Sequence, residues 1–224
     1  MLTQVFPNVA HIWPQFVQAI WDTIYMTLWS SVIAGVLGLV VGIVLVITQK
    51  GGIAEDSYVY GLTDKIVNLL RSIPFIILLA VMFPITNFIV HTTVGTTAAL
   101  VPLVVGIFPF YARQVQNALL EIDPQVIEAA RSMGSGNFEI IFRIYLREGL
   151  PDLIRASIVT VISLIGLTTM AGAIGSGGLG DVAISIGYAR YENDVTIAAM
   201  IVILLMVFFV QFVGDWLAKK TVHL

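Results

Sequence analysis

Cysteine is absent from the 224 residues, which excludes disulfides, thiolate metal centres and cysteine nucleophiles together. Histidine is nearly absent. His11, His91 and His223 are too scattered for a metal cluster, so no metal site is expected. Charge is scarce as well: Asp, Glu, Lys and Arg make up 11% of the chain, against roughly 25% in soluble domains. Hydrophobic residues supply 58%, which makes the lipid bilayer the first expected partner.

The missing charges leave long gaps. Residues 23–49, 72–112, 156–180 and 195–214 hold no Asp, Glu, Lys or Arg, and a membrane span needs about 20 such residues. The second gap is long enough for two spans joined at His91-Thr92-Thr93. The expected fold is therefore an all-α polytopic membrane protein with about five transmembrane helices, near 21–48, 66–90, 95–117, 155–175 and 195–217. Pro74, Pro84, Pro102 and Pro109 interrupt the second and third of these, either as kinks beside a cavity or as packing adjustments.

Lysine and arginine are missing from the first 22 residues, so no positively charged signal-peptide start is expected. Phe6, Trp13, Phe16 and Trp21, with Pro7 and Pro14, suit an extracytoplasmic interfacial segment over 1–20 instead. Elsewhere the cations fall on one side. Lys50, Lys65 and Arg71 follow the first span, Arg113, Arg131, Arg143, Arg147 and Arg155 surround the segment after the third, and Lys219 and Lys220 lie in the tail over 218–224. Only Arg190 falls on the other side. The positive-inside rule then puts the N-terminus outside, and the loop over 118–154 and the C-terminus in the cytoplasm.

The spans, taken over 21–217, carry no acid or histidine well inside them to hold a coupling ion. Asp22, Arg71, Arg113 and Asp215 fall near span ends, where snorkelling or capping is expected, and five spans do not divide into two equal repeats. Energy must enter from outside the membrane region. It does not enter through a nucleotide site of this chain, because Lys50, Lys65, Lys219 and Lys220 lack the Gly-Lys-Ser/Thr context of a P-loop. Gly175-Ser176-Gly177-Gly178-Leu179-Gly180 matches a G-x-G-x-x-G string, but it follows an apolar span rather than a strand, which points to a hinge or close helix packing. Neither a Ser-His nor an Asp-Asp pair lies in the spans, so no catalytic residue is expected. The basic residues mark topology, and no nucleic acid is implied.

What the chain does have is one long charged segment between apolar runs. Asp123-Pro124 predicts an N-cap with proline at the first helical position, and Gly134 predicts a C-cap, giving a short helix over 125–133. Ala129 and Ala130 would form a flat patch for a partner, with Glu128 and Arg131 as a charged rim. Gly134 and Gly136 permit a bend into a second helix over 137–147. A solvated hairpin would use the same alanines. In the fourth span, Ser163, Gly166 and Met170 share one helical face, and with Gly172 they are candidates for a pathway or gate; helix packing needs the same small residues.

Glu128-Ala129-Ala130, Gly134 three residues on, and Ile144-Tyr145-Leu146 after nine more resemble the EAA loop of bacterial ABC importer permeases, with Arg147 where that pattern usually has proline. Pro151 offers a break four residues later. Further stretches, Leu70-Arg71-Ser72-Ile73-Pro74-Phe75, Pro109-Phe110-Tyr111-Ala112-Arg113, the glycine string from Gly172 and Gln211-Phe212-Val213-Gly214-Asp215, are similar to methionine-uptake permeases of that superfamily. The resemblance covers about Ala54 to Asp215. It implies an importer subunit of the bacterial cell membrane, with Glu128, Ala129, Ala130, Arg131, Gly134, Ile144 and Leu146 docking an ATPase. It further implies a second copy of the chain, two cytoplasmic ATPase subunits that hold ATP and Mg, no cofactor in this chain, and an extracytoplasmic binding protein or lipoprotein. Methionine, D or L, is the implied substrate; another amino acid or a glycine-betaine-type osmoprotectant is the alternative. An intramembrane enzyme lacks its catalytic pair here, and a passive channel leaves the docking hairpin unexplained.

Overall fold

The computed structural model describes residues 6–221. The first five residues of the expected interfacial segment, and the end of the tail with His223, lie outside it. The described residues form helices α1 (Pro7–His11), α2 (Trp13–Thr48), α3 (Ser57–Ser72), α4 (Phe75–Val81), α5 (Phe83–Val90), α6 (Thr96–Leu120), α7 (Pro124–Ser132), α8 (Asn137–Ile140), α9 (Leu146–Glu148), α10 (Leu150–Ala171), α11 (Gly178–Asp181) and α12 (Asn193–Thr221). Wider π-helical turns join α8 to α9 over Ile141–Tyr145 and follow α10 and α11 over Gly172–Ser176 and Val182–Tyr188.

Among the described residues, four helical stretches are long and apolar enough to cross a membrane: Trp13–Thr48, Thr96–Leu120, Leu150–Ser176 and Asn193–Thr221. Their positions match four of the expected spans, although the first begins at Trp13, inside the segment expected at the interface. The expected second span over 66–90 is not one helix. The Ser72 hydroxyl bonds back to the Asn68 and Leu69 carbonyls where α3 ends, and Pro74 takes an extended conformation with ψ 130°. Met82 and Pro84 then separate α4 from α5, and His91 closes α5 with a left-handed φ of 57°. Proline cannot donate to the preceding turn, so a helix through these positions would lose hydrogen bonds and clash.

The chain divides into two compact units. One comprises 6–33, 73–106 and 161–211. Its core gathers Val9, Phe16 and Ala19 with Leu179, Val182, Ile186, Val195 and Ala199. Asn8 ties α1 to α12 by donating its backbone N–H and its Nδ2 to the two Asp194 carboxylate oxygens at 3.0 and 2.9 Å. The glycine string is fastened to α2, because the Leu179 amide donates to Thr23 Oγ1 at 2.8 Å. A Cβ on Gly180 would lie 2.2 Å from the Thr169 carbonyl oxygen, so the string packs backbone against backbone, as its small residues suggested.

The other unit comprises 34–72, 107–160 and 212–221. Here Gly38 and Gly42 let α2 approach α6, and a Cβ on Gly42 would sit 2.6 Å from the Val115 Cβ. The core of this unit joins Val46, Ile53, Tyr111, Val115, Ala118 and Leu119 to Ala130, Ile140 and Tyr145 of the long loop.

Candidate functional site

The loop after α6 is built as its caps predicted. The Asp123 side chain accepts from the Gln125 amide at 2.9 Å, and Pro124 occupies the first turn of α7. At the other end, the Ser135 amide donates to the Ala130 carbonyl and the Gly134 amide to that of Arg131, with Gly134 at φ +87°. This is the paired closure of a Schellman turn, and its left-handed residue favours glycine. Gly136 is extended and starts α8. The second helical stretch runs on to Glu148 and breaks at Gly149, where a Cβ would meet the Tyr145 carbonyl at 2.6 Å and Leu119 at 2.8 Å. Pro151 then falls in the first turn of α10, just after this break.

The structure divides the predicted docking residues. Glu128, Ala129, Arg131 and Gly134 are exposed. Ala130 is not: only 4% of its surface is accessible, and it packs in the core with Ile140 and Tyr145. The expectation of a flat patch made by both alanines is corrected on this point. Successive helical residues turn by about 100°, so neighbours cannot share one face. Ile144 and Leu146 are half-buried against the same core, where they hold the loop in place. Arg131 donates to the Gly52 carbonyl at 3.4 Å. Burial raises the Tyr145 pKa above its ordinary value, partly offset by the Arg131 charge, so its phenol stays protonated at neutral pH.

The outward surface also carries an apolar strip beside these charges. Val126 and Ala129 of α7 and Met133 at its C-cap, spaced three and four apart, are exposed. Phe138 and Phe142 stand out from the next stretch, 80% and 64% exposed. Sequence reasoning missed these residues, although a Val-x-x-Ala-x-x-x-Met repeat in a charged loop was a readable signal. Arg143 and Glu139 pair beside them.

On α10, Gly166 and Met170 are exposed and Ser163 half-buried, so the three predicted residues do share an open face, and Val159 extends it. Gly172 leaves that face. It is buried, and a Cβ there would meet the Asp181 amide nitrogen at 2.6 Å and the Gly177 carbonyl oxygen at 2.7 Å. Its place among the gate residues is corrected to that of a packing glycine. Arg113, expected to snorkel or cap near a span end, forms an ion pair with Asp64 of α3, and Asn68 and Gln116 complete the cluster. Asp64 and Arg113 are 49 residues apart, and no local pattern announces their meeting.

Comparison with known proteins follows the same lines. Residues 51–223 match the family described as binding-protein-dependent transport system inner membrane component. The chain is 40% identical to the probable D-methionine transport system permease protein MetI of Vibrio cholerae, covering 92% of this chain and 91% of that one. It is 45% identical to the methionine import system permease protein MetP of Bacillus subtilis, covering 96% of each. Among solved structures, a chain of the MetNI methionine ABC transporter in inward-facing conformations superposes with a TM-score of 0.92 at 41% identity, covering 94% of this chain and 97% of that one. An amino acid ABC transporter solved with histidines shares the fold, with a TM-score of 0.79 at 15% identity.

Proposed function

The chain belongs to the binding-protein-dependent transport system inner membrane component family, and from that premise we propose that it is the permease subunit of an ATP-driven methionine importer in the bacterial inner membrane. Two copies form the translocation pathway, and ATP is hydrolysed on separate subunits docked beneath them. A substrate-binding protein delivers methionine from outside. The observation that carries this reading is the docking hairpin: a capped helix whose buried side is fixed to the permease core while Val126, Ala129, Met133, Phe138 and Phe142 face outward. An exposed apolar patch on an otherwise charged segment is the mark of a protein partner.

The test is uptake of labelled L- and D-methionine into proteoliposomes holding the permease, its ATPase and its binding protein. Accumulation should require ATP and the binding protein. If another amino acid or glycine betaine displaces methionine at lower concentration, the substrate assignment falls while the importer remains.

The lopsided distribution of lysine and arginine supports an outside N-terminus and a cytoplasmic hairpin and C-terminus. In this cysteine-free chain, single cysteines at Thr92 or Glu192 should react with an impermeant reagent in intact cells, and one at Gly136 should stay silent. Labelling at Gly136 overturns the orientation.

The open face of α10 suits the pathway between the two copies. Met170 would narrow it from both sides, with Ser163 and Gly166 leaving room below. A cysteine at position 170 should cross-link to its counterpart in the second copy, and Met170→Trp should block uptake. No cross-link under any nucleotide condition assigns that face to lipid or to a neighbouring helix.

A further inference from the structure

Two apolar grooves follow one another along the seam between α2 and α12, both inside the unit that comprises 6–33, 73–106 and 161–211. The first, about 490 Å³, is lined by Trp13, Phe16 and Ile20 of α2, Ala198 and Val202 of α12, and Val9 of α1. The second, about 480 Å³, continues along Ile24, Leu28 and Ser31 of α2 and Leu205 and Phe209 of α12, with Ile165 of α10 in its wall. Val202 lines both, so the seam is continuous. Residues 13, 16, 20, 24, 28 and 31 keep a three-and-four spacing on α2, as do 198, 202, 205 and 209 on α12, so each set forms a single stripe.

The depth of the seam is set by α12. Asp194 in its first turn is polar and bonds to Asn8, which holds α1 at the same level, and Trp13 follows as an aromatic anchor of the interface. At 1.5 Å per residue the seam begins about 6 Å beyond Asp194 and runs about 18 Å to Val210, against roughly 15 Å for one leaflet of the hydrocarbon core. It therefore descends from headgroup level to the middle of the bilayer.

Its chemistry excludes a polar ligand. No charged residue lines either groove, Ser31 donates its hydroxyl to the Leu28 carbonyl, and the Thr27 oxygen is inaccessible. An amino acid would find nothing there to fix its head group. A second copy of the chain is expected elsewhere. Val161 and Ile165 line the lower groove, and at about 100° per residue they stand on the side of α10 opposite Ser163, Gly166 and Met170, the face assigned above to the pathway. The rim is open: Trp13, Leu28, Leu205 and Phe209 are each more than half exposed.

We propose that the seam between α2 and α12 is a lipid site, holding one acyl chain of a phospholipid from the leaflet on the side of α1. The proposal goes beyond the importer reading and rests on it only in giving the other face of α10 to the second copy. Lipid tails are as apolar as the groove, so the chain is held by packing rather than by escape from water. An empty groove would leave its lining atoms without partners on one side, and a single flexible chain supplies them along the whole stripe. Trp13 stacks on Phe16 with ring centroids 6.4 Å apart, which gives the groove a fixed aromatic lip. The chain then exchanges more slowly than the lipid around it.

The test uses the full chain in vesicles of phosphatidylethanolamine and phosphatidylglycerol with a trace of phosphatidylcholine bearing a mid-chain diazirine. After illumination, peptides around Leu28 and Leu205 should carry severalfold more label than those around the comparably exposed Val36 and Val40. One phospholipid per chain should also remain bound in native mass spectrometry of the detergent-purified protein. Ala198→Phe combined with Ser31→Phe fills the seam from both walls, and should remove that lipid and bring the label down to the Val36 level. If this variant does not insert, the wild-type label and lipid count decide alone. Seam labelling in the wild type no higher than at Val36 means contact with bulk lipid only and overturns the proposal. A cysteine at Leu205 that cross-links to its counterpart puts a second copy in the seam, and overturns it as well. Neither result bears on methionine uptake, which tests the importer reading separately.

Discussion

Replacing Phe138 and Phe142 together with aspartate should abolish co-purification of the ATPase with the permease and stop uptake, while the permease still inserts and keeps its thermal midpoint. Both side chains are largely exposed and neither belongs to the core that fixes the loop, so the isolated permease loses little. The complex loses much more. Burying a phenylalanine in an interface is worth about 1.5–3 kcal/mol, so two of them account for roughly 3–6 kcal/mol, or about a 140- to 20,000-fold change in affinity. The introduced carboxylates add a desolvation cost on top. Quantitative pull-down against a fixed ATPase concentration checks this, with Val59→Asp on α3 as an exposed control outside the hairpin. Retention of normal ATPase stoichiometry by the double variant assigns docking to another surface.

The parts of this fold that are legible in the sequence are those that depend on local chemistry. Uncharged runs placed four membrane-crossing helices, and Asp123, Pro124 and Gly134 placed both ends of α7 to within about one residue. These signals act over a turn or a span. The second expected span is divided into shorter helices for a local reason that was also visible: Pro74 and Pro84 sit where a continuous helix would need their missing N–H groups, and hydropathy alone does not weigh them. Other features depend on which face of a helix meets its own core, and a single chain does not declare that. Ala129 and Ala130 look alike in sequence, yet one is open and the other buried. Gly166 and Gly172 divide in the same way, open space on one and backbone atoms against the other. The Asp64–Arg113 pair joins helices distant in the chain, so only tertiary structure brings it into view.

The two adjacent alanines give the sharpest separation of docking from folding. Ala129→Asp places a charge on the exposed apolar face of α7, where water solvates it, so the permease should keep its thermal midpoint and lose only ATPase binding. Ala130→Asp places the same side chain among Val46, Ile140 and Tyr145. A short carboxylate cannot reach water from there, and an unpaired buried charge costs about 3–5 kcal/mol. For a chain of this length that corresponds to a loss of roughly 6–20 °C in unfolding temperature, and the hairpin should detach before the spans unfold. Limited proteolysis should therefore cut Ala130→Asp within the hairpin and leave Ala129→Asp intact. Both variants would lack uptake, for different reasons, and the protease and the thermal midpoint tell them apart. Equal resistance in the two variants would mean that Ala130 is not held in the core, and the anchoring of the docking surface would then have to come from Ile144 and Leu146 alone.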